Sequence, residues 1–193
     1  ANGDGISDSN DDEFVEIVNT TDHAVLLSNV TITEGAGGSY TFPAGTCIHP
    51  GQAAVVFSKY NGAATLKGAL AFAKGSTWGL NNSGDSVKLT WTNPQVGDVV
   101  TVDEMSYGGE ANDDQSITRK VDMDGSSAFV KHGSTGYGTM SVGRCANENL
   151  FPHCTPGGTH SVTVLVTNVE NDWAAAEVLD VITLSGEMEN RNY

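Results

Sequence analysis

Short runs of alternating apolar and polar residues, separated by clusters of Gly, Pro, Asn and Asp, recur from Glu13 to Lys131. A period of two marks strands with one buried face, and the regular punctuation suits an all-β sandwich. In "EFVEIVN", Val15 and Ile17 point one way while Phe14, Glu16 and Val18 point the other. "TTDH" reads as a turn, and "AVLLSNVTIT" as one strand or a bent pair, with Val30 and Ile32 alternating against Thr31 and Thr33. In "YTFPAGTCIHPGQAAVVFS", Pro43, Gly45, Pro50 and Gly51 interrupt regular pairing, so the stretch predicts strand, turn, strand, with Ala54 to Phe57 buried.

The next segment, "KYNGAATLKGALAFAKGSTWG", is ambiguous: its Ala and Leu tolerate a short helix, while its four glycines resist a long one. A hairpin follows, with Val87, Leu89 and Trp91 on one face, Asn93-Pro94 starting the turn, and Val100 and Val102 on the return. "SITRKVDMDGSSAFVKH" is a shorter hairpin cornered at Asp124-Gly125.

After "TPGGTH" come "SVTVLVTNV" and "AAEVLDVITLSG", two strongly strand-like runs. Val162, Val164 and Val166 alternate against Thr163, Leu165 and Thr167, so both faces of that strand can be buried. An unpaired edge of this kind invites association, so Val162, Val164, Val166, Val178 and Val181 are candidate assembly residues. Trp78, Trp91 and Trp173 read as core or interface anchors more readily than as sugar-stacking platforms, Trp91 as core and Trp173, between the two runs, as a candidate interface anchor. The chain thus divides into an acidic loop (1–12), a β-sandwich (13–154), a linker (155–160) and a carboxyl-terminal strand segment (161–193).

Charge narrows the partners. With 24 acidic against nine basic side chains and a formal charge of -15, the surface repels phosphates, which argues against nucleic acid. No apolar run is long enough for a membrane span, and no charged-plus-apolar leader is visible, as expected of a protein whose leader has been removed. Cys145 and Cys154 bracket a turn-rich loop and are read as a disulfide, which implies an oxidising, extracellular compartment. Cys47 is then a buried thiol or, as the alternative, a link to another subunit. Asn19, Asn29 and Asn81 begin N-x-Ser/Thr sequons.

The opening "ANGDGISDSNDDE" has oxygen-bearing residues around a glycine turn. Set against a calcium loop, Asn2, Asp4 and Asp8 become side-chain ligands and Ile6 a carbonyl ligand. Asp11 closes the shell, with Asp12 as its alternate; a solvated acidic terminus fits the same residues. The sets Glu110, Asp113, Asp114 and Asp122, Asp124 read as turn residues. The five histidines lack metal spacing, and no nucleophile elbow, phosphate loop or Cys-x-x-Cys pair occurs, so the reading is of a non-catalytic protein.

Taken together and in order, "DDEFVEIVN", "FPAGTCIHPGQAAVVF" and "GLNNSGDSVKLTWTNPQVGDVV…SYG" resemble the lamin-tail domain carried by secreted bacterial and archaeal proteins, over about Asn2 to Lys131. The resemblance implies an immunoglobulin-like β-sandwich with no active site, used for binding or architecture and sometimes attached to secreted hydrolases. Relatives begin with a further apolar strand, roughly Val-Ile-Asn-Glu-Val, before the acidic loop. Its absence here predicts an open groove that Ser161 to Val169 or Val178 to Leu184 fills, in the same molecule or in a neighbour. The expected function is a secreted or cell-surface structural or adhesive protein, a homo-oligomer formed by strand exchange into a filament. The alternatives are a monomeric module recognising glycan or a surface protein, and an accessory domain of a hydrolase.

Overall fold

A computed structural model describes residues 2–62, 66, 68–111 and 114–151 of the chain. The strands there are β1 (Phe14–Val18), β2 (Val25–Leu26), β3 (Val30–Glu34), β4 (Ser39–Thr41), β5 (Cys47–Ile48) and β6 (Ala53–Phe57). They continue with β7 (Leu70–Ala73), β8 (Asp85–Thr92), β9 (Val99–Tyr107), β10 (Ile117–Arg119) and β11 (Phe129–Lys131). The only helical turns among the described residues are two short 3-10 turns, Gly109–Ala111 and His132–Thr135.

Two sheets face each other, one ordered β1-β6-β7 and the other β4-β3-β8-β9, with the small pairs β2-β5 and β10-β11 beside them. The inward set of each strand meets in one core: Val15 and Ile17 of β1, Ala54 and Val56 of β6, Val30 and Ile32 of β3, and Val87, Leu89 and Trp91 of β8. This is the alternation expected from the sequence, and it makes the molecule an all-β, immunoglobulin-like sandwich. The bend in "AVLLSNVTIT" is real. Asn29 adopts φ 63, a left-handed value an Asn side chain tolerates, and the backbone there separates β2 from β3.

β6 is buried along its whole length because its sheet is covered on both sides. Ala54 and Val56 enter the main core, whereas Val55 and Phe57 pack on the outside with Phe14, Leu66 and Val142. The ambiguous segment after β6 settles as strand: β7 lies parallel to β6, Ala54 opposite Leu70. Its Phe72 meets Phe42 edge-on at 5.4 Å, and such aromatic contact outweighs the weak strand preference of alanine.

Trp78 and Trp91 are both core residues. The Trp78 indole N–H donates to the Val56 carbonyl at 2.8 Å, and its backbone N–H donates to the Ser58 hydroxyl at 2.8 Å. The Trp91 indole nitrogen is buried without a hydrogen-bond partner among the described residues. The linker and the strand segment, with Val162, Val164, Val166, Trp173, Val178 and Val181, lie outside the described residues.

Candidate binding groove

Among the described residues β1 pairs only with β6, and β9 only with β8, so each sheet ends in a free edge. Both edges line one groove of about 940 Å³. Its apolar lining comes from Val15 and Ile17 of β1, Val87 and Leu89 of β8, Met105 of β9, and Ile117 and Phe129 of the β10-β11 hairpin. Arg119 anchors that hairpin: its guanidinium lies 3.9 Å from the Phe129 ring centre, donates to the Ser127 carbonyl at 2.8 Å and reaches Asp103 of β9 at 3.4 Å.

The direction of the unused backbone groups follows from the register. Ser58 donates to the Glu13 carbonyl and Asn19 donates to the Gln52 carbonyl, so the odd-numbered residues of this stretch bond toward β6. Alternation in an antiparallel ladder then turns the N–H and C=O groups of Phe14, Glu16 and Val18 to the free edge. Those groups need a partner or water.

The outer face of β1 carries a seam that sequence reasoning missed. The Glu16 carboxylate accepts from the Gly143 N–H at 2.6 Å, and Asp122 accepts from the Ala146 N–H at 2.9 Å. Gly143 has φ 72, and a Cβ there would come within 3.0 Å of the Leu66 carbonyl, so glycine is required for this approach. Burial raises the Glu16 carboxyl to about 8, the nearby Asp122 charge adds to the rise, and the Gly143 amide opposes it. Asp122 is raised by burial too, against the Ala146 amide and His132. The available signal was the company Glu16 keeps: Phe14 and Val18 lie on the same strand face, and two apolar neighbours mark that face as covered.

The residues expected to hold calcium do form one loop, and their side chains mostly bind backbone. Asp12 accepts from the Asn2 and Asp8 N–H groups at 3.0 and 3.1 Å, and Asn2 and Asp4 accept from the Asp4 and Ile6 N–H groups at 3.0 and 2.8 Å. Asp8 accepts from Asn10 and Asp11, whose amides hold its carboxyl below the usual range, the Asp11 amide most strongly. Asp11 is paired with Lys59 at 2.9 Å. Among the described residues no group of three or more His, Cys, Asp or Glu side chains is placed to hold a metal ion.

One sequon has to be removed. Asn19 is 0% exposed, and its side-chain nitrogen, where a glycan would be attached, donates to the His23 and Ile48 carbonyls. Its oxygen accepts from the Thr21 backbone and hydroxyl. Asn29 and Asn81 are exposed. Cys47 is also corrected: it is an exposed free thiol, because β5 pairs with β2 so that Ile48 turns inward and Cys47 outward. Cys145 is fully buried, packed with Met123, Val18 and Phe151. Its expected partner Cys154 lies outside the described residues. Of the histidines, His132 is buried with its Nε2 lacking a hydrogen-bond partner among the described residues, while His153 and His160 lie outside them.

Fold and groove together define an immunoglobulin-like sandwich with a groove between its two sheets that is open among the described residues. The family model for the Lamin Tail Domain matches residues 3–109, more than half of the chain, and the chain belongs to that family. The family is a non-enzymatic one of immunoglobulin-like domains. No curated protein matches the chain. Among the described residues no helix is long and apolar enough to cross a membrane.

Proposed function

We propose that this protein is a non-catalytic structural or adhesive component of the cell exterior, whose molecules join by placing a β-strand of one into the open groove of the next. The observation that carries the reading is the groove itself, bounded by two strand edges that are unpaired among the described residues and lined by apolar side chains. An added strand would satisfy the edge groups of Phe14, Glu16 and Val18 and cover the partly buried Val15, Ile17 and Val87. The chain supplies a strand-like segment of suitable pattern in Ser161 to Val169. Nine residues extend about 30 Å, as do the nine of β9. A disulfide between Cys145 and Cys154, with an oxidising compartment, belongs to the same proposal.

The test keeps the chain at full length. Val164→Asp with Val166→Asp puts two charges into the segment that would enter the groove, at a cost far above the gain from a rim contact. Light scattering should find polymers of the unaltered protein and single chains of the variant. Equal assembly of both would remove this segment as the connecting strand.

A calcium ion at the acidic loop is a further proposal, which rests on the loop pattern of Asn2, Asp4, Asp8 and Asp12 gathered in one turn. Binding would stabilise the folded chain by mass action. Calcium at a hundredfold excess over its Kd should therefore add about 2.7 kcal/mol, and a melting temperature unchanged between calcium and chelator would remove the ion.

A further inference from the structure

Two partly buried carboxyl groups fasten one turn of the chain to the outer face of β1. Glu16 of β1 accepts from the Gly143 N–H at 2.6 Å, and Asp122, in the connection between β10 and β11, accepts from the Ala146 N–H at 2.9 Å. The carboxyls thus grip opposite ends of the same turn, 143–146. Residues 141–151 join no sheet among the described residues. Backbone bonds run within the stretch, Arg144 donating to Ser141, Glu148 to Cys145 and Cys145 to Asn149. The two carboxyls tie it to the sandwich, together with Val142 packed on the cluster of Val55 and Phe57, and Cys145 packed with Val18 and Met123.

The charges around Glu16 favour its neutral form. β6 presents the uncharged Val55 opposite it. The turn presents Arg144, whose guanidinium is engaged by Glu148 at 3.0 Å. The β10-β11 connection presents Asp122, on which the buried His132 acts, and Asp124, which accepts from the Ser126 hydroxyl at 2.6 Å. An ionised Glu16 therefore meets desolvation first and the Asp122 charge second, against the favourable Gly143 amide. Swinging the turn outward relieves both, because water reaches the carboxyls and they can part. The β1-β6 ladder, from Phe14 opposite Phe57 to Val18 opposite Ala53, does not pass through the turn, so this opening is local and costs less than unfolding.

We propose that Glu16 and Asp122 form a proton-operated latch: with a proton on Glu16 the turn 143–146 lies closed over β1, and loss of that proton frees the turn while the two sheets stay folded. Burial raises the Glu16 carboxyl to about 8, so the turn is closed at neutral pH and opens as pH rises through that value. The open form uncovers Val18, Val55 and Met123. The latch operates whether or not the groove takes a strand.

Amide hydrogen exchange of the full-length protein reads the latch, as protection factors corrected for the chemical effect of pH. Between pH 7 and pH 9 the Gly143 and Ala146 amides should lose about tenfold in protection, the factor for one pH unit beyond the Glu16 titration, while Ala54 and Val56 of β6 keep theirs. Glu16→Gln, which cannot ionise, should hold the turn closed at both pH values, and Asp122→Asn should show a smaller loss. An equal loss in β6 would mean that pH loosens the whole sandwich, and the latch would be overturned. Unchanged protection at Gly143 and Ala146, or an undiminished loss in either variant, would overturn it too. Should the variants fail to fold, the comparison of the turn with β6 in the unaltered protein decides alone.

Discussion

Replacing Trp78 by alanine should destabilise the domain by about 3–5 kcal/mol, the range for removing a large buried aromatic. The ring is 1% exposed in the main core, and its N–H satisfies the carbonyl of Val56 in the central strand of its sheet. The substitution opens a cavity and removes a hydrogen bond together. Trp91 provides the contrast. Its indole N–H has no partner among the described residues, so Trp91→Phe removes an orphaned donor along with some volume, and the two effects offset to within about 1 kcal/mol. Trp78→Phe lacks that offset and should cost more than Trp91→Phe. Urea denaturation of the variants measures this, and equal losses for the two Phe variants would show that the hydrogen bond to Val56 contributes nothing.

The second large effect concerns Glu16. Its carboxyl is held near 8 in the folded chain against an ordinary 4.5, so the folded state keeps a proton that the unfolded chain releases. The stability this gives is complete below about 4.5 and is lost as pH rises toward about 8. Burial is the main cause, but Glu16 also borders the groove and keeps part of its surface accessible. Discounting for water there, the loss is on the order of 2 kcal/mol. Glu16→Gln retains an oxygen to accept from Gly143 and cannot ionise. The variant should match the unaltered protein at pH 5 and exceed it by that amount at pH 9 in urea titrations. Parallel pH profiles would show that Glu16 carries no such penalty.

The strands with strict alternation were legible in advance. Val30 and Ile32 in β3, and Val87, Leu89 and Trp91 in β8, face the core as their period requires. β7 was not legible, because "LAFA" has no alternation of its own and becomes a strand only where β6 and Phe42 receive it. The acidic loop was visible as a cluster, yet whether a carboxylate turns to an ion or to its own backbone depends on local turn geometry that composition does not carry. Asn19 shows the same limit. Its sequon reads as surface, while its side chain serves as a buried clamp between the turn at His23 and strand β5. Glu16 was assigned to the correct face, but its covering comes from residues 122–146, far along the chain.

The double covering of β6 carries a cost in time. Val55 and Phe57 receive part of their outer cover from Val142, 85 positions later in the chain than Phe57. At about 5–20 residues per second a ribosome takes several seconds to supply that stretch. During that interval the run Ala53 to Phe57, apolar and uncharged, lacks that part of its cover and is a piece of the nascent chain prone to wrong pairing.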